Sequence, residues 1–168
     1  MAFNLAPVVE AEERNYRFIG IQSKNRAEWV ITHLANAHQS ITTVAFFDTL
    51  GPDAQKYIIN QTEMTTIAVS KDYIKGLATA KISDADGKLK TLENIVVFES
   101  DISDEDKKLC EEAKLTLYTL DDLYEKGKTV GKISTMRQPT KDTCASFSYT
   151  SGTTGDPKGV KLSHGMLI

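Results

Sequence analysis

Short runs of β-forming residues alternate with amphipathic helical runs along most of the chain. Residues 16–22 and 41–47 are rich in β-branched and aromatic side chains, and helical spacing of apolar residues separates them. Further strands are predicted at 65–69, 94–98, 116–119 and 144–149, the last of the series. Strand, helix and strand in repeated succession indicate an α/β fold with a mostly parallel sheet flanked by helices.

The first helix is predicted from its cap and its apolar spacing. Asn25 is a suitable N-cap residue, and Glu28 lies three positions later, as in a capping box. Trp29, Val30 and Leu34 then recur at helical spacing, which predicts an amphipathic helix beginning at Asn25.

The remaining local signals are turns, caps and breakers. Pro52 favours a helix start after Gly51, and Ser103 is predicted to cap a helix that runs to about residue 114. Residues 84–87 form a predicted turn. A short helix is expected at 120–125, and residues 127–140 are expected to form a polar, irregular surface connection.

Composition excludes several classes of protein. The chain has 168 residues, a net charge of −3 and 40% hydrophobic residues, as in a globular domain. A nucleic-acid-binding surface would be basic, so no nucleic-acid partner is expected. No stretch approaches the roughly 20 apolar residues that span a bilayer. Cys110 and Cys144 form no CxxC pair and are expected to be separate thiols in a reducing compartment, with a disulfide between them as the alternative.

The segment 149–160 (YTSGTTGDPKGV) follows a predicted strand and combines glycines, hydroxyls and one lysine. Glycines let the main chain approach a ligand, successive N–H groups can surround an anion, and a lysine suits a phosphate. The alternative interpretation is a flexible linker. A Walker A loop is excluded, because Pro157 precedes Lys158 and Gly159 follows it. The candidate contacts to a polyphosphate are Thr150, Ser151, Gly152, Thr153, Thr154, Gly155 and Lys158.

This segment resembles the signature loop of the adenylate-forming superfamily. Residues 19–29 (IGIQSKNRAEW) and 47–51 (FDTLG) are similar to two further blocks of eukaryotic-type long-chain acyl-CoA synthetases. The resemblance extends from about residue 17 onward. Ala27 and Ala45 stand where relatives commonly have proline, and Phe47 replaces tyrosine, but these positions lie upstream of the loop.

The resemblance implies a fold, a reaction and a set of ligands. Residues 16–168 would form part of the large N-terminal AMP-binding domain, truncated after the phosphate loop, and residues 1–15 an N-terminal tail. A fatty acid would attack the α-phosphate of ATP, and the thiol of CoA would then displace AMP. The loop would hold the β- and γ-phosphates together with Mg²⁺, with Thr150 near the metal.

The same resemblance implies limits on what this chain does by itself. The catalytic, adenine-binding and ribose-binding motifs of the family lie downstream of this loop, so the chain alone is expected to be inactive. An alternative is a truncated, non-catalytic binding or interaction module of the same origin. A complete enzyme would be expected on the cytoplasmic side of the endoplasmic reticulum or peroxisome membrane, although nothing in this chain supplies an attachment.

Overall fold

A mostly parallel sheet dominates the computed structural model, which describes residues 5–11, 14–47, 50–130, 138–150 and 156–167. Its strands are β3 (Phe18–Gln22), β4 (Thr42–Phe46), β5 (Thr66–Val69), β6 (Asn94–Val97), β7 (Thr116–Thr119), β8 (Cys144–Thr150) and β9 (Lys158–Ser163). Within the described residues the strand order is β7-β6-β5-β3-β4-β8-β9. Every neighbouring pair is parallel except β8 with β9. The predicted α/β fold is therefore confirmed.

Helices cover both faces of this sheet. They are α1 (Ala27–His38), α2 (Pro52–Thr62), α3 (Ile74–Ile82) after a 3-10 turn at Lys71–Tyr73, α4 (Asp104–Glu112), α5 (Leu120–Val130) and α6 (His164–Leu167). Ile58, Leu77 and Cys110 bring α2, α3 and α4 into the larger apolar core. Trp29 and Leu123 pack α1 and α5 against a smaller cluster.

The central strands are buried on both faces. Every residue of β3, β4 and β5 is buried, as expected for parallel strands between two helical layers. Gly20, in the middle of β3, lets the Phe46 ring pack directly against the β3 backbone. A Cβ at this position would lie 2.8 Å from Cε2 of Phe46. The sequence before β3 forms a separate antiparallel hairpin of β1 (Val9–Ala11) and β2 (Arg14–Tyr16).

Several local predictions are confirmed. The Ser103 side chain caps α4, accepting a hydrogen bond from the backbone N–H of Asp106 at 3.0 Å. Pro52 lies in the first turn of α2. The turn at 84–87 ends at Gly87, whose φ of +70° is a left-handed value that glycine adopts readily. Cys110 and Cys144 are free thiols.

The prediction that the first helix begins at Asn25 is wrong. Helix α1 begins at Ala27, and its N-cap residue is Arg26, which makes no side-chain capping bond. Arg26 instead bonds to Glu28 at 2.7 Å and to Glu99, which follows β6. These pairings hold Arg26 in an extended conformation, with φ of −160°, and delay the start of the helix.

The amphipathic pattern of α1 is only partly used in packing. Trp29 packs on the smaller cluster, as predicted. Val30 and Leu34 remain 52% and 54% exposed, so the predicted apolar face is not buried by the described residues.

The predicted short helix at 120–125 is too short. Helix α5 continues to Val130, so Gly127 and its neighbours are helical rather than irregular. A reciprocal cap marks the start of this helix. The Asp122 carboxylate accepts from the N–H of Thr119 at 2.9 Å, and the Thr119 hydroxyl accepts from the N–H of Asp122 at 3.0 Å. Residues 131–137 of the predicted connection lie outside the described residues.

Strand β8 is not the last strand. Strand β9 follows the Gly-rich loop and pairs antiparallel with β8. Its residues are mostly exposed and half of them are polar, so the apolar pattern that revealed the buried strands is missing.

Among the helices of the described residues, none combines the length and the apolarity that crossing a membrane requires.

Candidate functional site

The candidate loop leaves the sheet at the carboxyl edge of its parallel strands. Strands β3, β4 and β8 are neighbours and parallel, so Gln22, Phe46 and Thr150 end the strands at the same edge. Open α/β sheets place ligands outside this edge. The position of the loop therefore agrees with a binding role.

The hairpin of β8 and β9 holds the two ends of the loop together. Thr150 and Lys158 are direct partners across the hairpin, and the Thr150 hydroxyl donates to the Lys158 carbonyl at 3.5 Å. Both residues are exposed. Residues paired across an antiparallel ladder project to the same face, so the hydroxyl and the ammonium group lie on one side of the hairpin.

The other predicted contacts lie outside the described residues. These are Ser151, Gly152, Thr153, Thr154 and Gly155. Of the predicted phosphate contacts, the structure therefore places and brings together Thr150 and Lys158. The binding roles of all seven stay predictions.

The opposite face of the hairpin carries a tyrosine that sequence reasoning missed. Tyr149 is 4% exposed, and its hydroxyl donates to Oε1 of Gln61, on α2, at 2.6 Å. Its ring lies against Gly159, where an added Cβ would be 3.1 Å from Cζ of Tyr149. Burial, with a smaller contribution from Tyr57, raises the pKa of Tyr149 to about 12. Strand alternation alone could have shown that Tyr149 faces away from Thr150.

Polar side chains also end the neighbouring strands. Gln22, at the end of β3, is 9% exposed and accepts a hydrogen bond from Nε2 of Gln55 at 2.6 Å. Arg26 donates to Glu28, to Glu99 and, at 3.3 Å, to the Ser70 hydroxyl. The hydrogen bond from Arg26 lowers the pKa of Glu28. Because two carboxylates already neutralise the Arg26 guanidinium, we assign it a structural role and not a phosphate-binding role.

A metal at this edge would find few protein ligands among the described residues. The described ranges contain no group of three or more His, Cys, Asp or Glu side chains that could hold a metal ion. Mg²⁺ commonly takes one or two protein oxygens and completes its octahedron with water and substrate phosphates. The exposed hydroxyl of Thr150 fits such a limited role.

Comparison with known proteins assigns the family. A model of the AMP-binding enzyme family matches residues 8–168. The chain belongs to this family of AMP-binding enzymes.

Its relatives include named fatty acyl-CoA synthetases. The chain is 38% identical over 146 residues to fatty acyl-CoA synthetase B of Dictyostelium discoideum, covering 87% of this chain and 21% of that protein. It is 35% identical to the peroxisomal acyl-CoA ligase 891 of Penicillium roqueforti, covering 89% and 22%. It is 31% identical to human long-chain-fatty-acid–CoA ligase 6, covering 90% and 21%. The chain thus spans about a fifth of these relatives.

Solved structures support the fold. The AMP complex of the A-PCP didomain of carboxylic acid reductase from Segniliparus rugosus matches with a TM-score of 0.70 at 19% identity, covering 88% of this chain and 22% of that one. A red-emitting luciferase from Phrixothrix hirtus matches with a TM-score of 0.63 at 18% identity, covering 88% and 33%. The α/β sheet is therefore that of adenylate-forming domains.

Proposed function

We propose that this chain supplies the pyrophosphate-binding hairpin of an ATP-dependent fatty acyl-CoA ligase. The observation that carries the proposal is the pairing of Thr150 with Lys158 across the neck of the Gly-rich loop, at the carboxyl edge of the sheet. Family membership and relatives named as fatty acyl-CoA synthetases support the choice of reaction.

In the proposed reaction, a fatty acid carboxylate attacks the α-phosphate of ATP, and the β- and γ-phosphates leave as pyrophosphate. Such a transfer depends mainly on positioning and on neutralising charge at the leaving group. Lys158 would place an ammonium group beside those phosphates, and the hydroxyls and N–H groups of 150–155 would donate hydrogen bonds. The thiol of CoA would then attack the acyl-adenylate, forming the thioester and releasing AMP.

Mg²⁺, when bound, would neutralise part of the phosphate charge. Thr150 is the described residue that we propose near the metal, with the phosphates and water supplying most of its oxygens. The chain itself would hold and orient the triphosphate tail. The peroxisomal relative supports a peroxisomal setting for a complete enzyme, with the endoplasmic reticulum as the other proposed location.

Inorganic pyrophosphate provides a direct test of the loop. In the amide NMR spectrum of the isolated chain, pyrophosphate should selectively shift the signals of residues 150–156, 158 and 159. Lys158→Ala should weaken this binding roughly tenfold to a hundredfold, as expected for a hydrogen bond to a charged group. Lys108 is exposed on α4, which joins strands at the other end of the sheet, so Lys108→Ala is the matched control. Equal affinity for both variants would contradict the proposal.

The second candidate is a non-catalytic module that binds a ligand or partner without turnover. This candidate would share the sheet and the paired loop ends with the first. Under both proposals we expect no ATP–pyrophosphate exchange by the isolated chain at the rate of an intact enzyme. A coding sequence that continues past Ile168 into a Tyr-Gly-x-Thr-Glu-like block would favour the ligase, and a stop codon would favour the module.

A further inference from the structure

We propose that Tyr149 is a positioning residue that fixes the phosphate loop to helix α2, through its contact with Gly159 and its hydrogen bond to Gln61. This inference rests on the proposed function of the loop. It assigns a role to three residues that would not touch the nucleotide themselves. The Tyr149 clamp is the set of three residues Tyr149, Gly159 and Gln61.

The hairpin register places the clamp at the base of the loop. Tyr149 pairs with Gly159 in the ladder, one position before the pair of Thr150 and Lys158 that closes the loop. Any movement of the Tyr149–Gly159 pair would therefore be passed directly to both loop ends. The clamp also includes residues from both strands, so it limits how far β8 and β9 separate.

The contact with Gly159 depends on the missing side chain. A Cβ at Gly159 would lie 3.1 Å from Cζ and 3.2 Å from Cε1 of Tyr149, closer than ordinary van der Waals contact. The tyrosine ring therefore packs against one side of Gly159, and any larger residue there would have to displace the ring. Aromatic rings commonly compensate for glycine in this way across a sheet.

The hydrogen bond from Tyr149 to Gln61 links the β8–β9 hairpin to helix α2. Gln61 accepts from the Tyr149 hydroxyl at 2.6 Å, and its Nε2 donates to the Tyr57 hydroxyl at 3.3 Å. Both groups of the Gln61 amide are thus used, which orients the acceptor toward Tyr149. A tyrosine hydroxyl is protonated at physiological pH, and burial raises the pKa of Tyr149 further, so the group remains a donor.

Three substitutions separate the parts of the clamp. Tyr149→Phe removes the donor and keeps the ring, Gln61→Met removes the acceptor, and Gly159→Ala displaces the ring. Tyr124 is 66% exposed on α5, so Tyr124→Phe is a matched control for loss of a hydroxyl. Gln61 is exposed on α2, so Gln61→Met leaves the core intact if Tyr149→Phe proves poorly folded.

Two measurements on the isolated chain test the inference. Amide hydrogen exchange without ligand should accelerate about fivefold at Thr150 and Lys158 in each clamp variant, because one hydrogen bond or close contact is lost. The dissociation constant for pyrophosphate, measured at a temperature where every variant is fully folded, should rise by a similar factor. Tyr124→Phe should change neither quantity by as much as twofold.

The outcomes distinguish this inference from the proposed function. Unchanged exchange at the loop ends would show that no clamp exists. Faster exchange with unaltered pyrophosphate affinity would make Tyr149 purely structural and overturn its positioning role alone. Failure of the wild-type chain to bind pyrophosphate would instead overturn the proposed function, and the positioning role with it.

Discussion

The buried hydroxyl of Tyr149 predicts a specific loss of stability at alkaline pH. In the folded chain the pKa of Tyr149 is about 12, against about 10 for an exposed tyrosine. The folded state thus holds this proton more tightly than the unfolded state. The contribution to the free energy of unfolding is complete below about pH 10 and is lost as the pH rises through about 12. The full loss is about 3 kcal/mol, because the two pKa values differ by about 2 and a difference of 1 corresponds to about 1.4 kcal/mol.

Comparison with Tyr149→Phe isolates this effect from other alkaline titrations. Between about pH 9 and pH 11, linkage predicts that the wild-type chain loses about 1 kcal/mol more than the variant. Urea unfolding at each pH gives the two free energies of unfolding, and titrations shared by both proteins cancel in the difference. Parallel pH profiles for the two proteins would refute the reasoning, since Tyr149 would then titrate alike in both states.

Three further predictions concern packing, capping and thiol reactivity. Gly20→Ala should lower the free energy of unfolding by about 1–3 kcal/mol in urea titrations, because the new methyl group would lie 2.8 Å from Phe46. Ser103→Ala should lower it by about 1 kcal/mol, or roughly 3 °C in a calorimetric melting temperature, by removing the cap on the N–H of Asp106. Burial raises the pKa of the Cys110 thiol to about 11, so a thiol reagent near neutral pH should modify Cys110 only as fast as the chain opens. Immediate modification of the native chain would contradict that last expectation.

The buried strands could be predicted because their environment is uniform. Strand β6 lies between two helical layers, and its residues Ile95, Val96 and Val97 are all buried. A strand buried on both faces must be nearly all apolar, so its sequence marks it without further information. The helix starts at Ser103 and Pro52 could be predicted for a similar reason, because each residue acts within the first helical turn.

The start of α1 could not be predicted in this way. Asn25 satisfies the local capping rule, yet the helix begins two residues later. The deciding interaction joins Arg26 to Glu99, which lies 73 positions further along the chain. A rule based on neighbouring residues has no access to such a contact.

The sequence pattern did not predict strand β9. This strand lies at one edge of the sheet, where burial does not require apolar residues. Only Val160 and Leu162 are apolar in this strand, which is too short an alternation to indicate a strand, and Val160 is 47% exposed. The strand forms because it pairs with β8, and this tertiary contact cannot be read from the local sequence.

The candidate site also combines features that local sequence shows with features that it does not. Hydroxyls and a lysine could be recognised by residue type, whereas the bond from Tyr149 to Gln61 spans 88 positions.

Strand alternation accounts for the order of residues at both ends of the loop. Thr150 and Lys158 share one face of the hairpin, while Tyr149 and Gly159 share the other. The face of Tyr149 packs into the larger core, and that of Thr150 continues from Ser146, which pairs in parallel with Thr43 beneath α1. Adjacent positions can thus divide anchoring and the proposed phosphate contact between them. A one-residue slip of β9 would exchange the two faces, moving Lys158 to the face of Tyr149 and removing glycine from the tyrosine ring.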